Sequence, residues 1–339
     1  MRRFLIALVF LLAVVFLVTR FTELSDVWRT ILRGDMRWIA LAAAVQGAWL
    51  LNVAASFRAI YRLLGIEEQL HRLIPVAAAA NFVNVVAPSM GMGGMTLFVV
   101  DGRKRDLPPG RVATGVALYL VYDYLGFLVV LALGLVILSR FHQLNPAEIF
   151  ASIIFATTAV ILGALVYAGM RSGRRLEHLL TSMGHLVNRL LRPILQRDYL
   201  SMARAHDFAF EAAEGLREAR RSSGGLLMPA ALALSNKALM ISILFLVFLA
   251  FGQPFSVGTL IAGFSIGYLF LIVSPTPSGI GFVEGAMALV LNSMGVPLAA
   301  SAIVTLAYRG ITFWLPLVYG MVAFRLVGRP SGGLGSTSG

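Results

Sequence analysis

Long apolar runs are the feature that most restricts how this chain of 339 residues can fold. Most of them last about 15 to 25 residues, and a helix needs about 20 residues to cross a hydrocarbon core of roughly 30 Å. The runs do not alternate apolar and polar residues as membrane strands would, so they predict helices. They cover 4–19, 38–57, 73–100, 112–138, 149–170, 226–251, 255–273, 283–294 and 298–327.

The balance of residue types also indicates a membrane protein. The chain is 58% hydrophobic and 13% charged, and the charged share is about half of that in a soluble domain. Its net charge of +12 comes mostly from arginines between the apolar runs, which is typical of cytoplasmic loops and does not favour nucleic acid binding. Since it has no cysteine, disulfides, zinc–thiolate sites and cysteine nucleophiles are excluded.

The sequence predicts a single domain over 1–328, followed by a flexible Gly/Ser-rich tail at 329–339. The first run follows Arg2 and Arg3 and resembles a signal peptide, but it lacks a small-x-small cleavage site, so we expect a retained membrane helix. The polar stretch 171–225 has leucines at helical spacing and many arginines. We expect it to form a cytoplasmic amphipathic insertion that lies on the membrane surface.

Two apolar regions are broken in the same way. The breaks lie at 88–94 and 275–281, and each reads Pro-Ser followed by glycines spaced by one. Matched breaks in the two halves are typical of inverted-repeat transporters, in which half-helix ends form the substrate site. Glycine and proline also serve packing alone in membrane helices. The candidate site residues in the breaks are Pro88, Gly91, Gly93, Gly94, Pro277, Ser278, Gly279 and Gly281.

Basic loops set the predicted orientation. Loops 58–72 and 101–111 each carry several arginines, which places both in the cytoplasm. The region 73–100 between them must then enter and return as a re-entrant hairpin, and both termini fall in the cytoplasm. Loop 20–37 falls outside in this arrangement although it carries four arginines. The predicted fold is an all-α polytopic membrane protein with about six spanning helices plus two re-entrant broken-helix hairpins in an inverted repeat.

Four ionisable residues lie within the apolar runs, namely Asp123, Lys237, Glu284 and Arg309. Each costs about 2.5–3.5 kcal/mol at mid-membrane, so they must pair with one another or face water. Two buried salt bridges are one interpretation. A polar cavity that takes a charged head group is the other, and Arg suits phosphate because its planar fork donates two hydrogen bonds. Polarity at the same depth also comes from Asn81, Asn84 and Asn236.

No enzyme motif or metal site is evident in the sequence. The five histidines lie in polar stretches without an i, i+4 pair, and no nucleophile elbow or P-loop occurs. We therefore expect no catalytic residues, no metal and no cofactor.

The second break carries a resemblance to a known family. Residues 275–285 resemble the Pro-x-Pro-Gly-Gly-x-Gly-x-x-Glu-Gly motif of the lysylphosphatidylglycerol synthase transmembrane-region family, also called flippase-like domain proteins. Tyr308 and Arg309 look like part of the family's closing helix, and 88–94 with the basic loop after it is similar to its first broken segment. Ser278 stands where the family usually has a glycine. Of the family's Glu-Arg-x-x-Asp run, only Asp123 matches.

The resemblance implies a bacterial inner-membrane protein that moves a lipid, like the membrane domain of multiple peptide resistance factor without its synthase domain. We expect a flippase for an anionic phospholipid, a polyprenyl phosphate or a hopanoid-type lipid. Arg309 and Lys237 would bind the head group with Tyr308 beside them, and Glu284 and Asp123 would neutralise it or relay protons. Two rival hypotheses remain open, which are a non-transporting partner of a lipid-modifying enzyme or glycosyltransferase and a membrane-embedded transferase. A homodimer also stays open.

Overall fold

The computed structural model describes residues 27–86, 92–141, 145–171, 210–212, 214–219, 223–274 and 276–328. These residues are almost all helical, and no strand occurs among them. Ten of the helices position the site: α1 (Met36–Leu63), α2 (Leu70–Val86), α3 (Met92–Lys104), α4 (Pro109–Arg140), α5 (Pro146–Arg171), α6 (Leu227–Ala250), α7 (Val257–Val273), α8 (Phe282–Ser293), α9 (Leu298–Arg309) and α10 (Leu315–Gly328).

Five helices in the described part of the chain are long and apolar enough to cross a membrane. They are α1, α4, α5, α6 and the rod formed by α9 and α10, which a π-helical turn at Gly310–Trp314 joins. This confirms the predicted all-α polytopic membrane fold. The predicted first helix at 4–19, most of the insertion at 171–225 and the tail at 329–339 lie outside the described residues.

The first broken region folds as an antiparallel pair of short helices, α2 and α3. Gly94 of α3 lies against the Ala80 carbonyl of α2, and beyond the other end Arg105 Nη1 lies 3.2 Å from Glu68 Oε2. At 1.5 Å per residue, α2 reaches only about 26 Å. Helix α2 is therefore too short to cross a core of about 30 Å. Helix α3, which runs antiparallel to it, returns the chain to the end from which α2 started.

The second broken region has the same form, built from α7 and α8. Gly267 lies against Met287 near the tip, and Gly258 lies near Met294 at the open end, so α7 and α8 are also antiparallel. The 12 residues of α8 reach about 18 Å. Both broken regions are therefore helical hairpins that enter and return, as the sequence predicts.

The two hairpins open at opposite ends of the bundle. Helix α4 begins beside the open end of the first hairpin, and its far end places Ile137 against Gly258 at the open end of the second. Since α4 is long enough to span, the open ends lie on opposite sides. The tips meet inside, where Val85 and Val86 of the first hairpin share an apolar cluster with Ile280 of the second.

Each half of the molecule consists of a long helix, a hairpin and a second long helix. The first half contains α1, the α2–α3 hairpin and α4, and the second contains α6, the α7–α8 hairpin and the α9–α10 rod. The packing crosses between halves, since α2 packs on α10 while α7 packs on α4, and α1 packs along α6. This exchange of partners is the arrangement expected of an inverted repeat.

One predicted loop is shorter than expected. Helix α1 continues to Leu63, so Arg58 and Arg62, which we assigned to the loop 58–72, lie in its last turns. Long basic side chains extend along a helix end and keep their charges near the surface, which lets the helix run past them. At the same end of the bundle, Glu211 from the insertion accepts a hydrogen bond of 2.7 Å from the Gly110 amide.

Candidate functional site

A cavity of about 410 Å³ lies where the two hairpin tips meet. Both halves contribute to its walls. Its polar lining residues are Asn81, Asn84, Asp123, Ser274, Thr276, Ser278, Tyr308, Arg309 and Thr312. Aromatic rings cover much of the rest, from Trp49, Phe57, Phe98, Tyr119, Tyr124, Tyr268 and Phe313. The cavity thus collects polar groups that the sequence distributes over α2, α4, α9, the second break and the π-helical turn.

Arg309 is the cation that faces this cavity. Its Nε donates to Glu284 Oε1 at 2.7 Å, and its Nη2 donates to the Ser278 carbonyl at 3.0 Å. The guanidinium carbon also lies 4.5 Å from the centre of the Phe313 ring, in a cation–π arrangement. The side chain is 6% exposed, so its charge is held almost entirely by these neighbours.

Glu284 binds both Arg309 and the backbone of the second tip. Its other carboxylate oxygen, Oε2, accepts from the Gly281 amide at 2.7 Å, which caps the start of α8. A carboxylate in the first turn of a helix is stabilised by the unpaired amides there. Glu284 therefore connects the hairpin tip to α9 through two charge-assisted hydrogen bonds.

The backbone of the second tip is tightly turned. Pro277–Gly279 form a single 3-10 turn, and Ser278, Gly279 and Gly281 all have positive φ, of 51°, 68° and 82°. A non-glycine residue adopts this left-handed conformation at a cost of about 1–2 kcal/mol. This explains why a glycine would be favoured where this chain has Ser278.

A hydroxyl network completes the same tip. The Ser274 and Thr276 hydroxyls lie 2.8 Å apart, and Thr276 donates to the Ile280 carbonyl at 3.0 Å. The bond from Thr276 thus gives the Ile280 carbonyl a partner, as backbone groups inside a membrane require.

The first tip is described only in part, because Pro88 and Gly91 lie outside the described residues. On either side of them, Asn84 Oδ1 accepts from the Gly94 amide at 2.7 Å. Gly93 lies in the first turn of α3. Asn84 and Asn81 both face the cavity from α2, so the structure brings these predicted residues next to the second tip.

The other two membrane charges form a separate pair. Lys237 Nζ lies 2.7 Å from Asp123 Oδ1 and donates to the Tyr268 hydroxyl at 2.8 Å. Tyr268 in turn donates to Asp123 Oδ2 at 3.1 Å, which closes a triangle of hydrogen bonds. Asp123 faces the cavity, whereas Lys237 is 1% exposed and lies behind the wall. All four predicted charges are therefore paired.

A neutral counterpart of this triangle occurs in the other half. Gln46 lies ten residues into α1, just as Lys237 lies ten residues into α6. The Nε2 atom of Gln46 donates to the Tyr319 hydroxyl at 3.4 Å. Asn81, which also hydrogen-bonds to Tyr319, lies eleven residues into α2, as Tyr268 lies eleven residues into α7. Sequence reasoning missed Gln46, Tyr268 and Tyr319. For Gln46 the available signal was an amide inside an apolar run.

The π-helical turn at Gly310–Trp314 was also missed. It follows Arg309 directly and adds an extra residue to the helical turn, so that Thr312 and Phe313 line the cavity together with Arg309. Such π-turns within long helices are frequent at functional sites. Tyr308, just before it, is buried, and its hydroxyl points towards the Met240 sulfur at 3.8 Å.

The arrangement offers groups that can bind a polar, charged ligand. Within the described ranges, no group of three or more His, Asp or Glu side chains could hold a metal ion. The cavity offers a buried guanidinium from Arg309, several hydroxyls and amides, and the carboxylate of Asp123.

Comparison with known proteins identifies a family. A sequence model of the lysylphosphatidylglycerol synthase TM region matches residues 4–320. A UPF0104 membrane protein of Methanocaldococcus jannaschii is 22% identical over 96% of this chain and 94% of its own length. A second UPF0104 membrane protein, from Methanothermobacter thermautotrophicus, is 22% identical over 94% of this chain and 92% of its own length. The chain therefore belongs to the lysylphosphatidylglycerol synthase TM region family.

Proposed function

We propose that this protein is a lipid flippase, which moves an anionic lipid or a lipid-linked head group across the membrane. One observation carries the proposal. The tips of two hairpins that open at opposite ends meet at one cavity, and a buried arginine faces that cavity. A site near the middle of an inverted repeat can be exposed to each side in turn when one half moves against the other.

Arg309 is the group that we assign to the head group. Two of its three nitrogens are used by Glu284 and Ser278, and within the described part of the chain Nη1 donates to no protein acceptor. A phosphate oxygen is a strong acceptor for such a nitrogen. Lys237 is already engaged by Asp123 and Tyr268 behind the cavity wall, which favours Arg309 over Lys237 as the ligand.

The size of the cavity supports a head group as cargo. Its volume of about 410 Å³ lies towards the lower end of the range for small-molecule sites. A head group with a phosphate fits this space, and the acyl or prenyl chains would stay in the bilayer. The hydroxyl and amide groups of Ser274, Thr276, Asn81 and Asn84 would bind the polar part of the cargo.

The same proposal includes a location and an orientation. The end at which the first hairpin opens carries a cluster of basic residues, comprising Arg62, Arg72, Arg103, Lys104, Arg105 and Arg111. By the positive-inside rule we assign this end to the cytoplasm of a bacterial inner membrane, with both chain termini on the same side.

The test is lipid translocation in reconstituted phosphatidylcholine vesicles. Labelled phosphatidylglycerol and a labelled polyprenyl phosphate would be compared with labelled phosphatidylcholine. We expect wild-type protein to move at least one of the anionic probes faster than phosphatidylcholine, and Arg309→Gln to reduce that rate at least tenfold. Arg62→Gln is the matched control, because it removes one positive charge at an exposed position and should leave the rate unchanged.

Two results would contradict the proposal. Wild-type protein that moves none of the probes would favour the rival in which the chain is a non-transporting partner of a lipid-modifying enzyme. Equal translocation rates for wild type and folded Arg309→Gln would show that translocation does not depend on the arginine in the cavity.

A further inference from the structure

The ion pair of Asp123 and Lys237 connects the two halves of the molecule. Asp123 belongs to α4 in the first half, whereas Lys237 and Tyr268 belong to α6 and α7 in the second. All three hydrogen bonds in the triangle are 3.1 Å or shorter. Any motion of one half against the other must therefore either preserve this charged contact or break it.

The corresponding contact in the other half carries no charge. Gln46 of α1 contacts Tyr319 of α10. A neutral amide and a phenol thus take the places that the ammonium of Lys237 and the carboxylate of Asp123 have in the charged triangle. A neutral pair is enough to hold two packed helices together. The charges at Asp123 and Lys237 therefore have a role that packing alone does not require.

The two charges differ in how water can reach them. The Lys237 side chain is 2% exposed and the Asp123 side chain is 11% exposed, and of the two only Asp123 lines the cavity. A proton that arrives from the cavity therefore reaches the carboxylate and not the ammonium. Once Asp123 is protonated, Lys237 is a buried cation without a counter-ion, which is an unfavourable state.

Arg309 lines the same cavity, and few other titratable groups among the residues that the structure describes face Asp123. They are Lys237 on α6, Tyr268 on α7 and Tyr119, Tyr122 and Tyr124 on α4 itself. Helix α1 presents Ser56 and Ile60, α5 presents the ring of Phe155 next to Tyr124, and Asn236 of α6 approaches at 3.4 Å. Asp123 is thus the acidic group of this cluster, and the nearest strong cation is its own partner.

Glu284 is unsuited to the same role. Both of its carboxylate oxygens are already occupied, one by Arg309 Nε and the other by the Gly281 amide. It lies in the first turn of α8, where the helix also stabilises negative charge. Glu284 therefore serves as the counter-ion of Arg309 and as the cap of α8.

We infer that Asp123 is the energy-coupling site of the transporter, which takes one proton from the cavity in each cycle and thereby releases Lys237. This inference rests on the proposed lipid transport. The proton moves from cavity water to a carboxylate oxygen, which becomes a carboxylic acid, and the Lys237–Asp123 contact is lost. The halves then adopt the arrangement that accommodates the released ammonium, and the proton leaves towards the other side. A proton can shift this equilibrium because it binds the two arrangements with different affinity.

The first experiment applies a gradient of one pH unit across phosphatidylcholine vesicles that contain the protein and whichever labelled anionic lipid it moves. We expect wild type to accumulate the lipid in one leaflet several-fold, where about tenfold is the limit for one proton per lipid. The double variant Asp123→Asn/Lys237→Gln replaces the ion pair by a neutral pair like that of the other half. This variant should exchange the lipid more slowly than wild type, at a rate within about tenfold of the wild-type rate. It should leave equal amounts of labelled lipid in the two leaflets.

The second experiment keeps both charges. Tyr268→Phe removes one donor to the Asp123 carboxylate, so the midpoint of the pH profile for lipid exchange should move to higher pH. Tyr319→Phe makes the same chemical change in the neutral contact of the other half, which has no carboxylate, and should leave the midpoint unchanged.

The outcomes separate the two proposals. Wild type that exchanges lipid without accumulating it in a pH gradient, or that responds only to a sodium gradient, overturns proton coupling and leaves lipid transport standing. A double variant that still accumulates lipid, or that folds but no longer exchanges it, overturns the coupling role, as does an unchanged midpoint in Tyr268→Phe. No lipid movement by wild type overturns the proposed function itself.

Discussion

The Glu284 carboxylate holds Arg309 Nε at 2.7 Å, and the same carboxylate caps the helix that follows the second hairpin tip. One side chain therefore fixes both the position of the buried guanidinium and the start of α8. Because the two contacts share a carboxylate, a change at Glu284 alters the tip and the cation together.

We expect Glu284→Gln to lower the free energy of unfolding by about 1–3 kcal/mol, since it leaves a buried guanidinium without its ionic partner. Because the two side chains interact directly, their effects should not add. The double variant Glu284→Gln/Arg309→Gln should lose less free energy of unfolding than the two single variants lose together. Thermal unfolding of the purified protein in one detergent would measure this. Additive single effects would contradict a direct interaction.

Gly94→Ala should destabilise the first hairpin. A Cβ atom at Gly94 would overlap the Ala80 carbonyl oxygen, so α2 and α3 would have to separate, at a cost of about 1–3 kcal/mol. Gly47→Ala in α1 is the control, because nothing lies within 4 Å of its added Cβ. The same unfolding measurement should find Gly47→Ala neutral or stabilised, and an equal loss in both variants would argue against the close helix contact.

Ser278→Gly should stabilise the protein by about 1 kcal/mol, because it relieves a left-handed backbone conformation and keeps the carbonyl that Arg309 uses. Ser242→Gly, within the regular helix α6, should instead cost about 0.5–1 kcal/mol. Denaturation midpoints of the two variants should thus move in opposite directions. A loss of stability in both would show that the Ser278 hydroxyl matters more than its backbone.

The pH dependence of stability should include a contribution from Asp101, which lies near the basic end of the bundle. Burial raises the pKa of the Asp101 carboxyl from its usual value, against the opposing effect of Arg105 at 2.9 Å. The folded protein therefore binds this proton more tightly than the unfolded chain, and stability falls as pH rises through the raised pKa. Asp101→Asn should lack this decline when unfolding is followed from pH 4 to 7. If wild type instead gained stability relative to Asp101→Asn as the pH rises over this range, the prediction that folding raises the pKa of Asp101 would be wrong.

Much of the fold could be predicted from the sequence because membrane constraints act locally. Apolar length predicts a span, and Pro-Gly breaks at 88–94 and 275–281 predict hairpins without knowledge of their neighbours. The four membrane charges were also identified from their positions in apolar runs. Their choice of partners was not, because Asp123 lies next to Lys237 and not Arg309 only once α4, α6 and α7 are packed.

The residues that were missed have signals that a single sequence does not separate from packing. Gln46, Tyr268 and Tyr319 are isolated polar residues within apolar helices, and such residues often form ordinary interhelical hydrogen bonds. The π-turn at Gly310–Trp314 is followed by Pro316, but a proline in an apolar run does not distinguish a π-turn from an ordinary helix kink. Only the correspondence between the two halves, visible in the structure, gives Gln46 and Lys237 equivalent places.

The crossed packing of α2 on α10 and of α7 on α4 has a consequence for biosynthesis. A ribosome completes α2 long before it makes α10, so the first hairpin enters the bilayer without the helix that later covers it. Its short helices and broken tip remain there without α10 until that helix is made, and α4 likewise remains without α7. The molecule can therefore reach its packed form only after its last helix has left the translocon. A chain that stops after α6 lacks α10 and α7, on which α2 and α4 pack.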